Sequence, residues 1–469
     1  MEKKKFDVVV LGGGPGGYPA AIRAAQHGKN VALIEAKEMG GTCLNRGCIP
    51  SKALIANSEV LAKINEAKEF GIEVKGVSFD YGQMAKKKDD IVDKIRKNLE
   101  GLIATNKIIV FRGFGHFISS TEIKVIGTDN LIVEGGKIIV ATGSEPRKMA
   151  AFPFDYERIH DSTSLLALKS LPKSMVIVGG GVIGCEFASL YATLGVEITI
   201  LELLPNILPM EAQVVSEALA KAFKKRGIKT ETGVKVEKIE RNGKGIVVKV
   251  EGDRSFPAEM ALVSVGRKLN TDGIGLEKAG VLVLDNGMIQ VNSKMETSID
   301  GIYAVGDIAS KWWLAHVATH QGIIAADNAC GEESHMHYNA VPSVTFTHPE
   351  IATVGLSLED ALKQGFKAIV GAFPFQALGK SQATHQTEGL AQIVIDKNTG
   401  QILGAQVVGN EASALIAEMA LAITNELTVE CITETIHAHP TLPEAWLEAA
   451  FVAEGLPIHL PPKVKQTKS

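Results

Sequence analysis

Cys43 and Cys48 stand close together in the run GGTCLNRGCIPSK, near the start of the 469-residue chain. Two thiols at this spacing can carry an electron pair by making and breaking one sulfur–sulfur bond, with the thiolate as the attacking species. Zinc is the competing use, but a zinc site takes about four Cys or His ligands, usually in closely spaced pairs. Cys185, Cys330 and Cys431 are scattered singly, so no second pair completes such a site and no metal is expected. In a chain poor in cysteine, a close pair is read as catalytic rather than as a staple.

Converting a dithiol to a disulfide near neutral pH needs a group that accepts protons. The late run HAHPTLPE offers His437 and His439, with a carboxylate at Glu444. Imidazole suits the task, because its ordinary pKa of about 6.5 lies near the working pH and a neighbouring carboxylate raises it and orients the ring. Spacing alone does not choose between the two histidines.

Groups this far apart in the chain must be brought together by the elements that carry them. FDVVVL (6–11) reads as a buried strand, GGGPGG (12–17) as a turn, YPAAIRAAQHG (18–28) as an Ala-rich helix and NVALIE (30–35) as a second strand. Gly12, Gly14 and Gly17 fit the dinucleotide fingerprint: a tight turn, a close approach to pyrophosphate, and close helix-on-strand packing. Glu35 follows about twenty residues on, placed to accept hydrogen bonds from a ribose. A second copy runs from MVIV (175–178) through Gly179, Gly181 and Gly184, then an Ala-rich helix to Leu194 and VEITILE, which ends at Glu202. Two dinucleotide sites are therefore expected. An acid at 202 repels an extra ribose phosphate, and no Arg follows it, so NAD is expected over NADP.

The order of fingerprint, Cys-x4-Cys, second fingerprint and HAHPTLPE resembles the pyridine nucleotide disulfide oxidoreductases, over nearly the whole chain. ATGSEP (141–146) and GIYAVGD (301–307) are further landmarks of that pattern. The resemblance implies FAD at the first fingerprint and NAD at the second. It makes Cys48 the sulfur beside the flavin, Cys43 the sulfur that exchanges with substrate, and His439 with Glu444 the base and its partner. Lys52 would lie at the flavin's reactive nitrogen, paired with Glu186; a cation there favours the reduced, anionic ring. On the residues alone, Lys52 and Glu186 can also be read, less favourably, as helix-surface charges. Asp307 would contact the ribityl chain, and Gly143 and Gly266 are further cofactor-side positions. Ser51 and Leu442 lean toward the branch that oxidises dihydrolipoyl groups, whereas glutathione reductases tend to carry KK and HPTSSE. Mercuric reductases add a late cysteine pair, and this chain has no cysteine after Cys431. That branch implies a homodimer in which each site takes its base from the other subunit. Its partners would be lipoyl domains of a 2-oxoacid dehydrogenase acyltransferase or of a glycine-cleavage carrier protein. Lys311, Trp312 and Trp313 depart from the pattern, where relatives show smaller or Pro-containing residues.

The expected fold is α/β: two Rossmann-like dinucleotide domains plus a C-terminal α+β dimerisation domain. Boundaries are placed at 1–150 for FAD, 151–268 for NAD, 269–340 for a central segment that returns Asp307 to the flavin, and 341–469 for the interface. With 45% hydrophobic and 22% charged residues the chain can bury several cores. A net charge of −4 gives no global basic field, so nucleic-acid binding is not expected. No apolar stretch reaches the roughly twenty residues of a membrane span. MEKKKFDVVV enters a strand at once, and neither a signal nor a transit peptide is read, so a cytoplasmic location is expected. The Lys-rich tail at 461–469 reads as frayed. The alternative of another class is a flavin-containing scaffold subunit with little turnover, against which the full set of chemical residues speaks.

Overall fold

The computed structural model describes residues 1–461, so the polar tail expected at 461–469 lies, past Pro461, outside the described residues. The expected βαβ opening is present as β1 (Glu2–Leu11), α1 (Gly17–Gln26) and β2 (Val31–Glu35). β1 begins before the expected Phe6, because Glu2–Phe6 pair with Leu131–Gly135. Lys3 bridges Glu122 and Glu134 there, so charge pairing extends a strand that an apolar pattern ends early. Next come α2 (Gly41–Arg46), α3 (Cys48–Glu66) and α4 (Tyr81–Thr105), then β3 (Ile109–Phe117), β4 (Glu122–Gly127) and β5 (Leu131–Val140). β3, β2, β1 and β5 run parallel in that order, and β4 joins the far ends of β3 and β5 antiparallel. Val8–Leu11 and Val31–Ile34 are all buried, as befits strands covered on both faces.

The second unit contains β6 (Ser144–Pro146), β7 (Ile159–His160), α5 (Ser162–Leu166), β8 (Ser174–Val178), α6 (Val182–Thr193), β9 (Glu197–Leu201), α7 (Gln213–Lys225) and β10 (Lys229–Glu231). β11 (Val236–Asn242), β12 (Gly245–Val250) and β13 (Ser255–Ala258) form an antiparallel flap, followed by β14 (Met260–Val263) and β15 (Arg267–Leu269). A parallel sheet in the order β10-β9-β8-β14-β7 carries this unit, while β6 and β15 pair as a short ribbon.

The segment 269–340 adds α8 (Leu276–Ala279), β16 (Ile302–Ala304) and α9 (Ala315–Ala329). β16 extends the first sheet as the parallel neighbour of β5, and α9 packs on α1. Its buried residues Ile274, Ile289, Met295, Ile302 and Ile324 belong to the same hydrophobic cluster as β1 and β2. This segment builds on the first unit's core instead of making its own.

The last unit has β17 (Ser343–Thr345), β18 (Glu350–Gly355), α10 (Leu358–Lys363), β19 (Ala368–Pro374), α11 (Gly379–Ala383), β20 (Leu390–Asp396), β21 (Ile402–Gly409), α12 (Ala412–Thr424), α13 (Val429–Thr433) and α14 (Glu444–Glu454). Its antiparallel sheet runs β17-β18-β21-β20-β19, with α12 and α14 packed on it. Trp446 is fully buried between them and donates its indole N–H to the Leu415 carbonyl at 3.1 Å. The α/β class and the α+β third domain are as expected. Among the described residues no helix is long and apolar enough to cross a membrane.

Candidate active site

The two fingerprint loops have the same internal geometry. Gly12 and Gly179 both adopt φ +107°, which disfavours any side chain. A Cβ at Gly17 would lie 1.8 Å from the Gly12 carbonyl oxygen, and one at Gly184 would lie 2.0 Å from that of Gly179. The middle glycines differ. A Cβ at Gly14 would meet only the Gly41 Cα at 3.7 Å, and one at Gly181 would meet nothing within 4 Å. The chain's own packing does not require glycine at these two positions, so the open space is room for a pyrophosphate at a helix N-terminus.

The acids close the loops in parallel fashion. Glu35 accepts from the N–H of Gly13 at 2.7 Å and of Lys37 at 2.7 Å. Glu202 accepts from Gly180 at 2.6 Å and Leu204 at 2.8 Å. Each carboxylate thus braces its glycine loop, a role the sequence reading did not include. A cleft of about 640 Å³ opens beside Glu35, lined also by Lys37, Arg112, Phe114 and Thr128, and it suits the adenosine end of a dinucleotide. The residues present therefore fit a dinucleotide in both halves.

A direct test follows from the glycine geometry. Gly181→Ala is expected to melt within about 3 °C of the parent and to raise the KM for NAD at least about tenfold. Gly184→Ala is expected to lower the melting temperature by more than about 10 °C or to prevent folding, since a Cβ there overlaps backbone. Equal thermal losses in the two variants would show that the space at Gly181 is structural.

Cys43 lies on α2, and Cys48 is the first residue of the 19-residue α3. Gly40 and Gly41, at φ +95° and +60°, turn the chain into α2, and a Cβ at Gly41 would sit 2.7 Å from the Gly14 Cα. This glycine pair, unassigned in the sequence reading, lets the redox helix lie against the first fingerprint loop. The two thiols are free, partly buried neighbours that influence each other's ionisation. The neighbouring Cys43 thiol is the main cause that lowers the Cys48 thiol to about 7; burial opposes it and the Lys52 ammonium adds to it. Unpaired N–H groups at the start of α3 favour the same thiolate. Cys43 is held far above the usual thiol range, by its Cys48 neighbour and then by burial. The surroundings thus favour a thiolate at Cys48 over one at Cys43.

One turn further along α3, Lys52 meets Glu186 of α6, with Nζ 2.9 and 2.8 Å from the two carboxylate oxygens. The Glu186 side chain is 9% exposed and that of Lys52 30%, so neither is an ordinary surface charge. A third group joins them that sequence reasoning missed. Phe346, just past β17, places its ring 4.4 Å from the Lys52 ammonium and donates its backbone N–H to Glu186 Oε1 at 3.0 Å. No sequence signal marks Phe346 beyond its place in VPSVTFTHPE.

The two histidines are separated by their surroundings. His437 has a side chain only 5% exposed, with Nε2 on Glu418 at 3.0 Å and Nδ1 on the Thr435 carbonyl at 2.9 Å. Both ring nitrogens are engaged, and the Glu418 bond, opposed by burial, raises its pKa. His439 is 75% exposed, and only its Nδ1 is engaged, by Glu444 Oε1 at 2.8 Å. Burial pushes the Glu444 carboxyl up, but the Thr441 N–H and His439 outweigh it and keep the group below its usual value. His439 Nε2 has no hydrogen-bond partner among the described residues. Among the described residues no hydrogen bond or ion pair joins His439 to either cysteine of its own chain.

Asp307 follows β16 and accepts from the Ser144 hydroxyl. Arg267 donates to Ser144 Oγ at 2.6 Å and to its carbonyl at 2.7 Å, with its Nε 3.9 Å from Asp307. Gly143 and Gly266, at φ +67° and +105°, flank the β6–β15 ribbon with open space where a Cβ would be. Ser144 and Arg267 went unassigned in the sequence reading, although each adjoins a glycine that it named. Of the departing residues, Trp312 packs against the first core with Lys311 over its ring at 5.4 Å, and Trp313 is 44% exposed.

Two dinucleotide loops, a thiol pair at a helix start and an antiparallel third domain define a disulfide oxidoreductase. The family model described as pyridine nucleotide-disulphide oxidoreductase matches residues 6–322, and the dimerisation-domain model of that name matches residues 341–450. The chain belongs to this family, and its cofactors are FAD and NAD. Its curated relatives are dihydrolipoyl dehydrogenases: one from Chlamydia pneumoniae is 52% identical over 98% of this chain and 99% of its own. Another from Thermus scotoductus is 42% identical over 97% and 99%. Among solved structures, LpdA from Mycobacterium tuberculosis superposes with a TM-score of 0.89 at 29% identity, over 96% of this chain and 99% of that one. RclA from Escherichia coli, described as an HOCl-induced flavoprotein disulfide reductase, gives a TM-score of 0.85 at 27% identity over 95% and 99%.

Proposed function

We propose that this protein oxidises protein-bound dihydrolipoyl groups to lipoyl groups and reduces NAD to NADH. The observation that carries the reading is the neighbouring pair of Cys43 on α2 and Cys48 at the start of α3, next to the Lys52–Glu186 pair. Full-length relatives named dihydrolipoyl dehydrogenase support the choice of substrate. In the oxidised enzyme Cys43 and Cys48 are joined. His439 takes a proton from one substrate thiol, and the resulting thiolate attacks Cys43 Sγ. That step forms a mixed disulfide and releases Cys48 as a thiolate. The second substrate thiol then attacks its neighbour, closing the lipoyl ring and returning Cys43 as a thiol. Bound FAD would supply the redox chemistry that couples this dithiol to NAD. Glu35 and the Gly12–Gly17 loop would hold FAD, with Asp307 and Gly143 toward its ribityl chain; Glu202, Gly266 and the Gly179–Gly184 loop would hold NAD.

The domain division proposed is FAD at 1–150 completed by 269–340, NAD at 151–268, and the interface from 341. His439 belongs to the interface domain, and a homodimer that supplies it to the partner's cysteines completes the site. The lipoyl donors would be domains of a 2-oxoacid dehydrogenase acyltransferase or a glycine-cleavage carrier protein, met in the cytoplasm.

Steady-state reduction of NAD by dihydrolipoamide tests the reading, with NADP and a glutathione–NADPH assay in parallel. Fast turnover with dihydrolipoamide and NAD alone is expected. Activity confined to glutathione and NADPH would replace the substrate, and none with any pair would leave the scaffold role. Glu202→Ala is expected to cut the NAD:NADP ratio of kcat/KM at least about tenfold, because it removes the repelling carboxylate and leaves two loop N–H groups unpaired, each worth about 1–3 kcal/mol. An unchanged ratio would reduce Glu202 to a brace of the loop.

A further inference from the structure

We propose that Phe346 is a positioning residue of the redox site: its ring and backbone N–H hold the Lys52–Glu186 pair in one geometry and so fix the cation that supports the Cys48 thiolate. The inference rests on reading Cys48 as the flavin-side sulfur. Three units of the fold meet at this point, since Lys52 comes from α3, Glu186 from α6 and Phe346 from the turn between β17 and β18.

A lysine ammonium sits on a flexible four-carbon stem, and a carboxylate on one side leaves it free to swing away on the other. The face of Phe346, 4.4 Å from Nζ, gives the ammonium a second contact by attraction between the cation and the ring quadrupole. The ring's placement is built in. The turn that carries it is tied to α6 by the Phe346 N–H on Glu186 at 3.0 Å and by the His348 N–H on Ser189 Oγ at 2.9 Å. Arg226, from the end of α7, donates to Ser189 Oγ at 2.8 Å and to the His348 carbonyl at 2.9 Å, locking the same turn from a second helix. The backbone bonds persist whatever side chain stands at 346, whereas the contact with the ammonium needs an aromatic face. The charged or titratable groups facing Cys48 are Cys43 on α2, Lys52 on its own helix, Glu186 on α6 and Arg267 on β15. The Phe346 ring acts on Cys48 through Lys52, while its backbone N–H on Glu186 is common to every side-chain variant at this position.

The test uses flavin-loaded Cys43→Ser protein, in which Cys48 is the single thiol of the pair. A thiolate beside an oxidised flavin produces long-wavelength absorption, and its growth with pH titrates Cys48. Phe346→Leu in this background is expected to move the midpoint up by about half to one unit, a threefold to tenfold loss of thiolate at a given pH on the rising limb. Phe346→Tyr, which keeps the ring, is expected to titrate with the parent. A leucine variant with an unmoved midpoint would overturn the role of the ring, as would a tyrosine variant shifted as far as leucine. Absence of the band at every pH in the Phe346 parent would instead overturn the assignment of Cys48 beneath it. If the leucine protein loses its flavin, Phe346→Met carries the same comparison.

Discussion

Cys48→Ser protein is expected to oxidise dihydrolipoamide with NAD at least about 10³-fold more slowly than the parent while remaining yellow. Serine differs from cysteine by one atom and suits the first turn of a helix, so α3 should form as before. What is lost is the sulfur that alternates between disulfide and thiolate. A serine hydroxyl can do neither, because oxygen forms no bond with Cys43 that a substrate thiol could open, and the hydroxyl stays protonated at neutral pH. The nicotinamide half contains neither cysteine. Transfer of electrons from NADH to a small dye should therefore persist within about threefold, and this separates loss of the thiol step from loss of the cofactor site. Full lipoamide turnover in the variant would overturn the chemistry assigned to Cys48. Loss of both reactions with intact flavin would move Cys48 into the nicotinamide step.

The second large effect concerns His439. His439→Gln is expected to reduce turnover by about 10²–10⁴-fold, the usual worth of a positioned general base. Its ring is exposed in the single chain and bonded only at Nδ1, whereas His437 is buried with both nitrogens engaged. His437→Gln should therefore act mainly through stability. Mixing the two inactive proteins, Cys48→Ser and His439→Gln, tests whether the base comes from the other subunit. Reassociation from equal amounts yields about half mixed dimers, and each of these contains one intact site if the base is supplied in trans. About a quarter of parental activity should return. No recovery, with mixed dimers demonstrated by separation of differently tagged chains, would place His439 in its own subunit's site.

Much of the site was legible before any coordinates, because parts of it are short-range. A fingerprint works through the conformational and steric limits of glycine over six positions, and a thiol pair works through proximity in the chain. Sequence therefore marked Gly12, Gly14, Gly17, Gly179, Gly181 and Gly184, both loop-closing acids and the cysteines. It also implied the α/β class, since strand, turn and helix signals alternate at local spacing. It could not choose between His437 and His439, because two histidines two residues apart share every local property. Their difference lies in Glu418, nineteen residues away in sequence and against only one of the rings.

Tertiary structure decided what depends on long-range contact. Lys52 and Glu186 are separated by 134 positions and become an ion pair only because α3 packs on α6. Phe346 looks like any strand-end aromatic until the third unit lays it over that pair. The first four residues of β1 carry charge and lie outside the apolar run FDVVVL, yet they form a strand through partners on β4 and β5. Local sequence determined which chemistry is present, since backbone freedom and functional groups belong to single residues. The fold determined which groups act together, since burial, charge pairing and the direction of a side chain arise only when distant segments share one small volume.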